Sequence, residues 1–157
     1  LERLRDTLIS TGADARLLKI ELTESVLSEN LEVITGVLHR IRALGCQVLI
    51  DDFGTGYSSL SRLYRLPIDG LKIDRAFVQP LQTDPGSAKI IRAIVGLAQS
   101  LEIDTVAEGI ETESDLDILS DLGCDFIQGY FFSKPVERPE TLARIQRLEV
   151  QAAAGRD

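Results

Sequence analysis

Short apolar runs alternate along the chain with stretches of helical periodicity. Leu17-Leu18-Lys19-Ile20-Glu21-Leu22 reads as a strand, and Leu31–Leu44 follows with Ile34, Val37, Leu38, Ile41 and Leu44 at helical spacing, closed by Gly45. Gln47-Val48-Leu49-Ile50-Asp51 is a second strand, followed by a glycine-rich loop and a short helix from Ser58 to Tyr64. Beyond Pro67, Gly70-Leu71-Lys72-Ile73-Asp74 is a third strand, and Ile90, Ile91, Ile94, Val95, Ala98 and Leu101 mark an apolar helix. Thr105–Glu108 is a fourth strand, Ser114–Leu122 a helix closed by Gly123, and Phe126–Gly129 a fifth strand. Glu140 to about Gln151 is a last helix, with residues 151–157 as a flexible tail after a single domain over residues 1–150. Strand and helix in alternation with short loops mean an α/β fold of parallel strands and right-handed crossovers. Leu-Gly-Cys joins helix to strand twice, at 44–46 and 122–124. Internal duplication and a common helix-to-strand turn both account for this.

Polar residues sit at or near the C-terminal ends of these strands: Glu21, Asp51, Glu108 and Gln128, with Lys72 and Asp74 on the third. Functional groups gather at that rim in parallel α/β folds, above all in the eight-stranded barrel. Asp51 and Asp52 are adjacent carboxylates that repel unless one is protonated or a cation lies between them. With Glu21 and Glu108 they make four acids on one rim, more than protonation relieves. Divalent metal answers that charge, and oxygen ligands suit Mg²⁺ or Mn²⁺. A pair of such ions fits phosphoester hydrolysis. The competing reading makes these acids helix caps in strand-to-helix loops. In the loop Asp51-Asp52-Phe53-Gly54-Thr55-Gly56-Tyr57-Ser58, Gly54 and Gly56 permit unusual backbone angles. Its Gly-x-Gly lacks the third glycine of a dinucleotide fingerprint.

Composition narrows the field further. The 157 residues carry 17 basic and 25 acidic side chains, a net charge of −8, which argues against binding a DNA or RNA polymer. No apolar run is long enough for a membrane span, and the N-terminus lacks the apolar stretch of a secretory signal. Cys46 and Cys124 stand apart without CxxC spacing and read as buried thiols in a reducing, cytoplasmic setting. The single histidine, His39, excludes a His-based triad and a multi-histidine metal site. The chain has no methionine, even at position 1, so it is expected to be cut from something longer.

Five segments together resemble the EAL domain family of bacterial cyclic di-GMP phosphodiesterases, from about Leu1 to Leu148. They are Glu21-Leu22-Thr23-Glu24, the loop Asp51–Ser58, Leu71-Lys72-Ile73-Asp74, Val106-Ala107-Glu108-Gly109-Ile110-Glu111 and Gln128-Gly129-Tyr130-Phe131-Phe132-Ser133-Lys134-Pro135. The resemblance implies a TIM-like (β/α) barrel and hydrolysis of cyclic di-GMP to linear pGpG at a two-metal site. It implies that Glu21 ligates the first ion, that Asp51 bridges both, and that Asp52 holds the second ion or its water. It places Lys72 by the scissile phosphate, Glu108 at the second ion or its water shell, and Gln128 against water or phosphate. Glu24 and Glu111 become supporting residues, Glu24 bracing the Asp-Asp loop with its Phe53, Gly54, Thr55 and Gly56.

The Glu-Ala-Leu signature, the asparagine strand motif and the substrate-binding arginine of the family do not occur here. Five strands leave three of the eight, about 90 residues at roughly 30 per βα unit, which brings the total near the roughly 250 of such a barrel. The chain is therefore expected to be the C-terminal part of the domain, inactive on its own and either poorly soluble or self-associating. The resemblance also implies sensor or other signalling domains in the parent. It implies a homodimer as well, through the helix bearing Tyr57, Leu60, Leu63 and Tyr64. The alternative is a non-catalytic EAL-type module that binds cyclic di-GMP or a protein partner; an unrelated metal-dependent barrel requires the five segments to be accidental.

Overall fold

In the computed structural model, which describes residues 1–28, 30–56, 60–137 and 139–145, five parallel strands form one sheet in chain order. They are β1 (Lys19–Thr23), β2 (Gln47–Phe53), β3 (Gly70–Ile73), β4 (Asp104–Glu108) and β5 (Phe126–Gln128). The helices are α1 (Glu2–Thr11), α2 (Leu31–Ala43), α3 (Leu60–Leu63), α4 (Arg75–Val78), α5 (Pro85–Ser100) and α6 (Glu113–Asp121), and residues 139–145 are also helical. Alternation along each strand separates two faces. Val48, Ile50, Leu71, Ile73 and Ala107 point into one hydrophobic core with Leu38, Ile41, Ile91, Val95 and Leu119 from α2, α5 and α6. The other face carries Lys19, Glu21, Leu49, Asp51, Lys72, Val106, Glu108, Phe126 and Gln128. Leu49 and Val106 are buried there, yet neither joins the helix-packed core.

This second face is concave. Four strand spacings of about 4.8 Å would put β1 and β5 roughly 19 Å apart in a flat sheet. Instead Lys19 Nζ of β1 stands 4.4 Å from the centre of the Phe126 ring of β5. The sheet therefore curls as a barrel wall does, and among the described residues it does not close.

The five expected strands are all present, with instructive differences at their ends. Leu17 and Leu18 precede β1, and Leu17 is exposed. β2 continues past Asp51 to the buried Phe53, through a register shift against β3 between Ile50 and Phe53. Asp52 sits in that bulge with φ +54°, a conformation that aspartate tolerates better than most residues. A bulge re-aims neighbouring side chains, so Asp51 and Asp52 serve different partners. Asp74 lies beyond β3 and caps α4, accepting a 2.7 Å hydrogen bond from the Ala76 N–H.

Two helices escape the periodicity reading. α1 has only Leu4 and Leu8 half-buried among charged residues, and α4 is a single turn. α5 starts at Pro85, earlier than its apolar stripe, because Asp84 caps it and proline suits the first helical turn. Of the residues expected on a dimer surface, Leu63 is buried in the core, Leu60 and Tyr64 are exposed, and Tyr57 lies outside the described residues. The last helix beyond residue 145 and the tail at 151–157 also lie outside them. Cys46 is buried; Cys124 is half-buried, and burial pushes its thiol up to about 11. No helix among the described residues is long and apolar enough to cross a membrane.

The start of α6 is built as a reciprocal cap. Thr112 Oγ1 accepts from the Asp115 N–H, and Asp115 Oδ2 accepts from the Thr112 N–H. Gln82 Nε2 donates to Asp115 Oδ1 and to Thr112 Oγ1, each at 2.9 Å. Burial alone would raise the Asp115 carboxyl, but the hydrogen bonds from Gln82, Thr112 and the Glu111 backbone hold it below the usual range. A carboxyl lowered on folding adds stability above its ordinary value of about 3.9, and that stability is lost as pH falls through the folded value. Asp115→Asn is expected to cost about 1 kcal/mol at pH 7. Urea titrations of the two proteins should converge as pH falls through the lowered folded value of Asp115; a gap independent of pH would refute the charged role.

Candidate active site

Lys72 is the centre of the concave rim. Its side chain is only 5% exposed, and its ammonium lies 2.7 Å from Glu21 Oε2, 3.0 Å from Asp51 Oδ1 and 2.5 Å from Glu108 Oε1. Those acids come from β1, β2 and β4, so one cation gathers residues from strands on both sides of its own. Burial alone would lower the Lys72 pKa, but the hydrogen bonds to Glu108, Glu21 and Asp51 overcome it and raise the value. The ammonium therefore stays charged throughout the neutral range. Gln128 Nε2 donates to the same Glu108 Oε1 at 3.2 Å and ties β5 to the cluster.

Asp52 turns away from this ring toward Asp74. A side-chain hydrogen bond between the two carboxyls raises the Asp52 pKa, and desolvation with the negative charges of Asp51, Asp74 and Glu108 adds to the rise. Glu21, Asp51 and Glu108 thus surround a single positive charge, and with Asp52 and Asp74 beside them the rim carries surplus negative charge. Among the described residues, no three acidic, histidine or cysteine side chains are spaced to enclose an ion as they stand, because Lys72 occupies the point where three of the acids meet. The donor chemistry nevertheless fits a hard divalent cation: carboxylate oxygens, an amide and excess negative charge.

The loop after β2 is clamped from below. Glu24 is buried, and its Oε2 accepts from the Gly54 N–H at 3.0 Å and the Gly56 N–H at 3.1 Å. A Cβ at Gly56 would lie 2.9 Å from Glu24 Oε1, so the backbone approaches the carboxylate as closely as glycine alone permits. Gly54 rests against the Phe77 ring of α4, and Thr55 Oγ1 donates to the Asp52 carbonyl at 2.8 Å. Tyr57, Ser58 and Ser59 lie outside the described residues.

Glu111 stands apart from the cluster. It is exposed, and its backbone N–H donates to Asp115. Its side chain lines a cavity of about 680 Å³ running from Glu108 and Gln128 past Arg75 to Tyr130 and Phe132. Sequence reasoning missed Arg75 and the pairing of Asp74 with Asp52. The readable signal was Asp74 before Arg75-Ala76-Phe77-Val78, an N-cap followed by one turn of helix.

A curled parallel sheet with three acids around one buried lysine on its concave rim is a partial (β/α) barrel with a charged cluster at its rim. Residues 1–135 match the EAL domain family model, and the chain belongs to that family. It is 42% identical over 136 residues to the cyclic di-GMP phosphodiesterase NbdA of Pseudomonas aeruginosa, covering 87% of this chain and 17% of that protein. The PaMucR phosphodiesterase in its c-di-GMP complex superposes with a TM-score of 0.84 at 38% identity, covering 89% of this chain and 57% of that one. Klebsiella pneumoniae BlrP1 in a manganese/cy-diGMP complex gives 0.78 at 34% identity, covering 85% and 34%. The chain thus spans less than two thirds of the relatives it matches.

Proposed function

We propose that these residues form the C-terminal part of a metal-dependent phosphodiesterase that hydrolyses cyclic di-GMP to linear pGpG. The observation that carries this reading is the convergence of Glu21, Asp51 and Glu108, from three strands, on the buried Lys72 ammonium. NbdA's description as a cyclic di-GMP phosphodiesterase and the manganese in the BlrP1 complex support it. Glu21, Asp51, Asp52 and Glu108 would hold two Mg²⁺ or Mn²⁺ ions. Such ions, when bound, polarise phosphate oxygens and lower the pKa of coordinated water. Lys72 places a fixed positive charge where the phosphate gains negative charge in the transition state. Gln128 orients Glu108 and presents an amide to water or phosphate. In the overall reaction a water oxygen bonds to phosphorus, one P–O3′ bond breaks, and pGpG leaves with a free 5′-phosphate.

The open β1 edge and the exposed Glu21 side chain support a further part of the reading. Residues 1–157 alone should not turn over cyclic di-GMP, and a chain that closes the barrel should. The free Cys46 and Cys124 suit a cytoplasmic setting, and the exposed Leu60 and Tyr64 suit a homodimer face. A concentration-independent monomer mass by sedimentation would remove the dimer. For the activity, cyclic di-GMP is incubated with the closed-barrel protein in Mn²⁺ and the product is weighed by mass spectrometry. Gain of one water per dinucleotide is expected; tight binding without product would favour the non-catalytic module.

A further inference from the structure

The cap of α6 reaches back to the concave rim. Gly109, Ile110 and Glu111 alone separate Glu108, the last residue of β4, from Thr112, the N-cap of α6. This loop is held along its length. The Gln128 carbonyl accepts from the Gly109 N–H at 2.9 Å, and the Ile110 side chain is buried. A Cβ at Gly109, where φ is +82°, would come within 2.6 Å of the Arg75 Cβ, so the loop lies flat against α4. At its outer end, Asp115 Oδ2 accepts from the Thr112 N–H at 3.1 Å and from the Glu111 N–H at 3.4 Å.

Gln82 ties that outer end to a rigid part of the fold. The Pro80 carbonyl accepts from the Thr83 and Asp84 N–H groups at 2.9 and 2.7 Å, and Leu81 is buried beside this tight turn. The turn runs directly into α5 through the Asp84 cap. From it, the Gln82 carboxamide directs its two N–H donors at Asp115 Oδ1 and Thr112 Oγ1, each at 2.9 Å. The reciprocal Thr112–Asp115 cap is complete without them. Gln82 therefore adds a fixed separation between the α4–α5 turn and the end of the β4–α6 loop.

Resting on the phosphodiesterase reading, we infer that Gln82 is a positioning residue for Glu108: its tether on the outer end of the β4–α6 loop sets where the Glu108 carboxylate stands on the rim. Glu108 is the rim acid most dependent on such support. Glu21 and Asp51 lie inside β1 and β2, with strand on both sides, whereas Glu108 ends its strand and takes its direction from the loop as well. Its Oε1 meets both the Lys72 ammonium at 2.5 Å and Gln128 Nε2 at 3.2 Å, so one displacement disturbs two contacts. Misplacing a group at a reacting centre by 1 Å costs up to about 100-fold in rate.

The test is steady-state hydrolysis of cyclic di-GMP in saturating Mn²⁺ by a chain that closes the barrel, with urea midpoints on the same preparations. Gln82→Met keeps the length of the side chain and removes its donors; kcat is expected to fall about tenfold with KM within about twofold of wild type. Gln82→Lys returns a donor at similar reach and is expected to bring kcat back to within about threefold of wild type. Asp125→Ala controls for stability, because Asp125 Oδ2 accepts from the Thr105 N–H at 2.8 Å and from Thr105 Oγ1 at 2.7 Å near the opposite end of β4. It is expected to lower the urea midpoint at least as far as Gln82→Met and to leave kcat within about twofold. A further readout needs no turnover: in residues 1–157, amide hydrogen exchange across 109–112 should quicken about tenfold in Gln82→Met and slow again in Gln82→Lys. Unchanged kcat or unchanged exchange in Gln82→Met, no recovery in Gln82→Lys, or an equal loss of kcat in Asp125→Ala would each overturn the inference. If the wild type turns over and Gln82→Met matches it, only this inference fails. If the wild-type closed barrel does not hydrolyse cyclic di-GMP, the phosphodiesterase reading fails and this inference with it.

Discussion

Asp51→Asn, in a chain long enough to close the barrel, is expected to cut hydrolysis of cyclic di-GMP at least a thousandfold and to leave the fold intact. The asymmetry follows from where Asp51 lies. Its side chain projects from the concave face beyond the buried Leu49, contacting the Lys72 ammonium rather than the helix-packed core. Asparagine preserves its volume and one acceptor oxygen, so Lys72 keeps a neutral partner at that position. What disappears is one unit of negative charge among the groups proposed to hold the ions. In the proposed two-metal site, loss of a charged ligand would remove the geometry that polarises phosphate and activates water together. Turnover in saturating Mn²⁺ and the urea midpoint should be measured on the same preparation. Activity above a tenth of wild type would sink the two-metal assignment, whereas a collapsed midpoint would mean that Asp51 is structural.

The strands were legible in the sequence because each is a short apolar run with a polar residue near its end. That pattern survives whatever the helices do. The polar rim was legible for the same reason, since period-two alternation puts Glu21, Asp51, Lys72 and Glu108 on one face. Three features were not legible. The bulge at Asp52 needs a left-handed residue inside a strand, and neither Asp51-Asp52 nor the buried Phe53 announces it. Four acids on a rim implied a cation between them, but not that the chain supplies one of its own from the middle of β3. Leu63 looked like part of an exposed apolar stripe with Leu60 and Tyr64, yet one helical turn points it into the core while the other two stay outside. Each case depends on where a side chain points across elements, which local periodicity does not encode. Glu24 is the opposite case. The resemblance made it a brace for the Asp-Asp loop, and the structure places its carboxylate on the Gly54 and Gly56 amides.

The second large effect is expected at Lys72 itself, in residues 1–157 and without any substrate. Lys72→Met keeps the buried stem but leaves Glu21, Asp51 and Glu108 facing one another with no cation among them. Breaking a buried charge cluster from one side costs about 3–5 kcal/mol. The three acids are 21–44% exposed, so water screens part of that repulsion, and about 2–3 kcal/mol is the expected loss at pH 8. The sign of the pH dependence separates this from a simple packing defect. In the wild type the Lys72 pKa is raised on folding, so its contribution is complete below about 10.4. That contribution fades only as pH climbs through the folded value. The variant lacks that alkaline decline. It should instead gain stability on acidification, as protonation removes the repulsion among carboxylates that no ammonium now offsets. Divalent cation should do the same at constant pH: Mn²⁺ is expected to raise the variant's urea midpoint more than the wild type's, because the acids are released from the lysine. A variant as stable as wild type at pH 8, indifferent to both acid and Mn²⁺, would show that the lysine merely fills space. The rim acids would then have no claim on a metal.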